Sequence, residues 1–120
     1  MKHAAWVLVL LSLAAVARAE GDAARGKTLY EQRCTACHSI DYNGAGPAHK
    51  NLLGRRAGTF PGFAYSVALK GSSIVWTDEA LSSWLENPEK FVPGQKMFVQ
   101  TPDPLDRADL IAYLKQATKR

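Results

Sequence analysis

From Ser39 to Pro61 the chain passes through Asn43-Gly44, Gly46-Pro47, Gly54, Gly58 and Pro61-Gly62 with no helical or alternating pattern. These dipeptides and single glycines are turn and loop signals. Structureless connections longer than roughly 12–15 residues are uncommon inside a compact domain. Such a stretch is expected where loops wrap a flat, apolar cofactor that takes the place of part of the core. No alternating run long enough for a sheet occurs elsewhere in the sequence, so the remaining regular structure is expected to be helical.

Three to five helices are predicted around these loops. Asp22 is a fair N-cap for a helix reaching Cys34, with Ala23, Gly26, Leu29, Tyr30 and Arg33 on one face. Gly26 costs that helix about 1 kcal/mol relative to alanine, which points to a close helix crossing. Tyr65 to Lys70 reads as a short helix. Thr77 caps another, with Asp78 and Glu79 in its first turn and Asn87-Pro88 at its end. A loop from Phe91 to Gln100 contains Pro93-Gly94. The last helix starts at Asp103 with Pro104 in first position, and Leu110, Ile111, Tyr113 and Leu114 form its apolar face. There is no internal repeat and no low-complexity segment.

Met1-Lys2-His3, an apolar run from Ala4 to Ala17 and the small residues of Ala17-Arg18-Ala19 have the layout of a secretory signal peptide. Residues 1–19 are therefore expected to be removed after Ala19, leaving one domain over residues 20–120. The alternative is an uncleaved anchor, but a spanning helix needs about 20 apolar residues and this run has 14. Without Lys2 and Arg18, 13 basic side chains face 11 acidic ones, a net charge of +2. With Arg55-Arg56 and Lys119-Arg120 the only adjacent Lys/Arg pairs in residues 20–120, this weak charge gives no basic patch for nucleic acid. No stable membrane insertion of the mature chain is expected.

Only two cysteines occur, in Cys34-Thr35-Ala36-Cys37-His38. A disulfide between them would close too short a loop to stabilise the fold much. A thiol–disulfide centre of this spacing normally sits in a βαβ context, which the sequence lacks. A zinc site needs four ligands, and only His49 and carboxylates would remain to complete it. The third reading is covalent haem attachment. Both thiols would add to the vinyl groups on one edge of the porphyrin, and His38 would follow directly as the proximal iron ligand. A domain of about 100 residues gains stability from such a group.

Met97 is the only methionine after the expected cleavage, and it lies in Val92-Pro93-Gly94-Gln95-Lys96-Met97, 59 residues beyond His38. A lone methionine is ordinarily core filler. The proline–glycine loop and the distance also suit a chain passing round the far side of a haem.

The sequence resembles the class I cytochromes c over essentially the whole of residues 20–120. The match is carried, in order, by the attachment motif, Gly46-Pro47, Gly54-Arg55, Pro61-Gly62-Phe63-Ala64-Tyr65-Ser66, Trp76, Asn87-Pro88, Pro93-Gly94-Gln95-Lys96-Met97 and Arg107-Ala108-Asp109-Leu110-Ile111-Ala112-Tyr113-Leu114. The resemblance implies an all-α cytochrome c fold around one covalent, iron-containing haem c. It implies that Met97 is the distal ligand and that the Pro47 carbonyl accepts a hydrogen bond from the outer nitrogen of His38. It further implies that Arg55, Tyr65 and Trp76 serve the inner haem propionate, and that Gly26 and Tyr30 pack against Leu110, Tyr113 and Leu114. Without it, Trp76 and Tyr65 read equally well as aromatic core, and Arg55 as a surface charge.

Several positions depart from the family pattern. The stretch between His38 and Gly46-Pro47 is shorter than in mitochondrial members. His49 takes the place of a leucine, and a surface or rim position is expected for it rather than competition with Met97 for iron. Trp84 replaces a tyrosine near the methionine sulfur, where its N–H is available instead. Glu89 stands where mitochondrial members carry a docking lysine, so a lysine ring is not expected.

The function expected is that of a soluble, monomeric, periplasmic one-electron carrier and not an enzyme, with both axial positions filled by protein. Its partners would be a dehydrogenase or reductase as donor and an oxidase or reductase as acceptor. The competing readings are a dedicated haem c subunit of a periplasmic dehydrogenase, an open-site haem enzyme or gas binder, and a thiol oxidoreductase.

Overall fold

The structure is a computed structural model that describes residues 21–119. The expected signal peptide, residues 1–19, lies outside the described residues. Among the described residues five helices occur in the order α1 (Ala23–Arg33), α2 (Val67–Lys70), α3 (Asp78–Glu86), α4 (Pro88–Phe91) and α5 (Pro104–Ala117). There is no strand among the described residues, and the one antiparallel bridge joins Arg56 to Val75.

Side chains that accept the free amides of a first turn set the helix starts. Asp22 accepts from the amides of Ala24 and Arg25, Thr77 from Ala80, and Asp103 from Leu105. Asn87 does two things at once. Its backbone closes α3, and its side chain accepts from the Lys90 amide to open α4, with Pro88 at the first helical position. The sequence reading took Asn87-Pro88 as a stop alone. The lone turn of α4 was therefore not expected.

α1 and α5, from the two ends of the described chain, cross at Gly26. A Cβ there would run into the carbonyl of Asp109, so only glycine permits this approach. Tyr30 and Tyr113 meet at the crossing with ring centroids 5.2 Å apart. Leu29, Leu110, Ile111 and Leu114 continue inward and join Trp76, Trp84 and Leu85 in one buried cluster.

Charge reinforces the crossing. Arg25 bonds Asp106 at 2.6 Å and Asp109 at 2.7 Å, and Arg33 bonds Asp106 at 3.0 Å. The Asp22 amide also donates to Asp109. Arg33, predicted on the inner face of α1, keeps an exposed position and reaches across to α5 with its guanidinium. Hydrogen bonds from Arg25 hold both carboxyls below the ordinary carboxylate range, helped by Arg33 at Asp106 and by the Asp22 amide at Asp109.

Candidate functional site

α1 ends at Cys34, whose amide donates to the Tyr30 carbonyl. The next turn is held by Cys37 and His38 amides bonding back to the Cys34 carbonyl. This turn presents Cys34, Cys37 and His38 together to a cavity of about 380 Å³. The volume lies in the range of roughly 300–1,000 Å³ typical of sites for small organic ligands.

The thiol of Cys34 sits at the C-terminal, electronegative end of α1. Burial pushes its pKa up to about 11, with a smaller opposing effect from Arg33. A redox-active thiol needs the reverse, a helix N-terminus or a cation that favours thiolate. This environment is wrong for thiol–disulfide catalysis.

The His38 imidazole is fixed at its outer nitrogen, where Nδ1 lies 2.7 Å from the Pro47 carbonyl oxygen. A carbonyl only accepts, so Nδ1 carries the proton and the lone pair is left on Nε2. Gly46 lets the backbone pass over this ring, because any Cβ there would overlap Cε1 and both nitrogens. Burial lowers the His38 pKa, favouring the neutral, ligating form.

The other walls come from the loops and from α2, α3 and α5. Pro47, Arg55, Tyr65, Trp76, Trp84 and Met97 all line the same cavity. Trp76 and Trp84 pack edge to face with centroids 5.5 Å apart. The Tyr65 hydroxyl accepts from the Phe60 amide at 3.1 Å. Arg55 donates to the carbonyls of Lys50 at 2.6 Å and Ala48 at 3.1 Å. Its Nε is buried with no partner, and no carboxylate pairs with it among the described residues. A half-buried cation in that position calls for an anion from the cavity side.

The loop bearing Met97 is tied down by Glu89. Its carboxylate accepts from the Gly94 amide at 2.9 Å and from Gln95 Nε2 at 3.1 Å, while Gln95 Oε1 accepts the Met97 amide. Glu89, read from sequence only as a missing docking lysine, is thus an organiser of the methionine loop. Spacing gives no hint of this role.

His49 departs most from expectation. It is half-buried and turned inward: it lines the cavity and stacks on His38, with centroids 4.2 Å apart and planes inclined by 20°. Its Nδ1 lies 2.9 Å from the Tyr30 hydroxyl. The loop from Ser39 to Pro61 has no periodicity to reveal which residues turn inward, and this one does because Tyr30 supplies a polar partner inside.

The site fits a haem. Two thiols at the attachment spacing, a neutral imidazole with a free Nε2, a thioether and a guanidinium with a bare buried Nε surround one apolar cavity.

Comparison with known proteins agrees. The family model for cytochrome c matches residues 23–118. This chain belongs to the cytochrome c family, whose members carry electrons on one covalently attached haem c and act with redox partner proteins. Cytochrome c of Euglena viridis is 52% identical over 98 residues, covering 79% of this chain and 96% of the relative. Cytochrome c2 of Rhodomicrobium vannielii is 43% identical over 114 residues, covering 92% and 90% respectively. The solved structure of cytochrome cH from Methylobacterium extorquens superimposes with a TM-score of 0.77 at 45% identity, covering 80% of this chain and 99% of that one.

Proposed function

We propose that the chain is a periplasmic one-electron shuttle, exported with cleavage after Ala19, rather than an enzyme. In this reading Cys34 and Cys37 would bond the haem, and His38 and Met97 would hold its iron. The observation that carries the reading is the convergence of all four side chains on one cavity.

When bound, the haem supplies a ferric–ferrous couple. The chain's residues keep that couple simple. His38 offers Nε2 because Pro47 holds the proton on Nδ1. Glu89 and Gln95 fix the loop that carries Met97, and a thioether held there would bind the iron and leave no open site for a substrate. Arg55 and Tyr65 would meet the haem's carboxylates, and Trp76 and Trp84, which line the same cavity, would help to exclude water. Electrons would leave through the rim of the cavity, where Phe98 is 86% exposed and Val99 41% exposed. Contacts there with partners are expected to be small and short-lived, as in other electron-transfer pairs.

No helix of the described residues is long and apolar enough to cross a membrane. The bacterial cytochrome c2 relative and the signal-peptide layout of residues 1–19 support an exported location.

Optical spectroscopy of the ferric holoprotein tests the ligand set. The weak red band of sulfur-ligated haem is expected. A high-spin spectrum with immediate cyanide binding would refute the shuttle.

A further inference from the structure

We propose that His49 is a positioning residue that sets the plane of the His38 imidazole. The inference rests on the reading of His38 as the proximal ligand and goes beyond it.

A histidine ring on its Cβ–Cγ bond has a broad, soft torsion. The Nδ1 hydrogen bond to Pro47 fixes where one ring edge points. It leaves the ring able to swing about that bond. A second contact, against the ring face, is needed to remove this freedom, and His49 provides it as a nearly parallel ring 4.2 Å away.

His49 is not itself loose. Its Nδ1 is tied to the hydroxyl of Tyr30, which is buried on α1 and packed against Tyr113 of α5. Tyr30 and His49 also meet edge to face, with centroids 5.7 Å apart. A chain of contacts therefore runs from the helix crossing through Tyr30 and His49 to His38. An aliphatic side chain at position 49 would fill the space but would present no flat face and accept no anchor from Tyr30. Ligand-plane orientation and the polarity beside the ligand are both levers on a haem's potential.

The test uses holoprotein matured with haem, comparing wild type with His49→Leu, His49→Phe and Tyr30→Phe. Two quantities are read: the midpoint potential, and the pattern of paramagnetically shifted haem methyl resonances in the ferric state, which reports the orientation of the axial ligand. His49→Leu is expected to reorder or compress the methyl pattern and to shift the potential. His49→Phe, which keeps a flat ring but loses the bond to Tyr30, is expected to recover most of the methyl pattern. Tyr30→Phe should move the pattern in the same sense as His49→Leu but less far.

A pattern and potential unchanged in His49→Leu would overturn the inference alone. So would a bis-imidazole spectrum in the wild type that vanishes in His49→Leu, since His49 would then be a ligand itself. Native-like ferric spectra in His38→Ala would instead overturn the ligand reading, and this inference with it.

Discussion

At the crossing of α1 and α5, the buried carboxylates of Asp106 and Asp109 are matched by Arg25 and Arg33 from the same chain. The cavity wall a few residues away is the reverse. Arg55 has carbonyls but no carboxylate, its Nε is bare, and Cys34, Met97 and the Nε2 of His38 are all aimed at one cavity. Both regions border the same aromatic and aliphatic cluster. What separates them is whether the polar ledger closes within the protein. Where it closes, the residues are scaffold; where it stays open, they are the outline of a guest.

Substitutions in the two regions should therefore fail in different ways. The largest effect is expected from Cys37→Ala, which leaves the helix crossing untouched but removes one of the two tethers. Holoprotein yield should fall by about tenfold or more, read by haem staining of soluble protein after denaturing electrophoresis. Undiminished yield would mean that the cavity depends on this thiol no more than the crossing does.

Met97→Ala should still attach haem. Losing the thioether should lower the midpoint potential and open the iron to exogenous ligands, measured by redox titration and cyanide binding. An unchanged potential would return Met97 to the scaffold side of the comparison.

Gly26→Ala acts on the crossing alone. Alanine gains about 1 kcal/mol of helix propensity, but its Cβ meets the Asp109 backbone. A net loss of about 2 kcal/mol is expected, typical of overpacking against an unyielding neighbour. Denaturant unfolding of the holoprotein measures it, and the potential should barely move.

The smallest effect is the acid dependence of the ion pairs. Arg25 holds the Asp106 and Asp109 carboxyls below their unfolded values of about 3.9. The pairs therefore stabilise the fold fully above that pH and lose their contribution as pH falls through the depressed native values. Thermal midpoints should decline on acidification below about pH 4. Arg25→Ala should start lower at neutral pH and decline less steeply. Identical slopes would remove charge from the account of the crossing.

Much of this was legible in the sequence because the signals are local. The caps at Asp22, Thr77 and Asp103 lie within three residues of the amides they satisfy. The attachment motif spans five residues. The crossing glycine announced itself by its cost in a helix. What escaped were pairings set only by tertiary packing. Arg25 and Asp109 stand 84 positions apart, and no spacing rule joins them. The turn α4 was hidden because Asn87 both ends one helix and begins the next. His49 was misplaced because a loop offers no period from which to tell inside from outside.

The helices that clasp each other belong to opposite ends of the described chain, and this has a consequence for biogenesis. In the proposed export, which starts from the N-terminal side, the cysteine motif crosses the membrane before α5 does. Until α5 follows, Gly26, Arg25 and Arg33 have nothing to close on, and the side chains that will line the cavity stay within reach of whatever delivers the porphyrin. α5 is the last of the described helices in chain order, so the cofactor can meet the cysteine motif in an open chain and be enclosed afterwards.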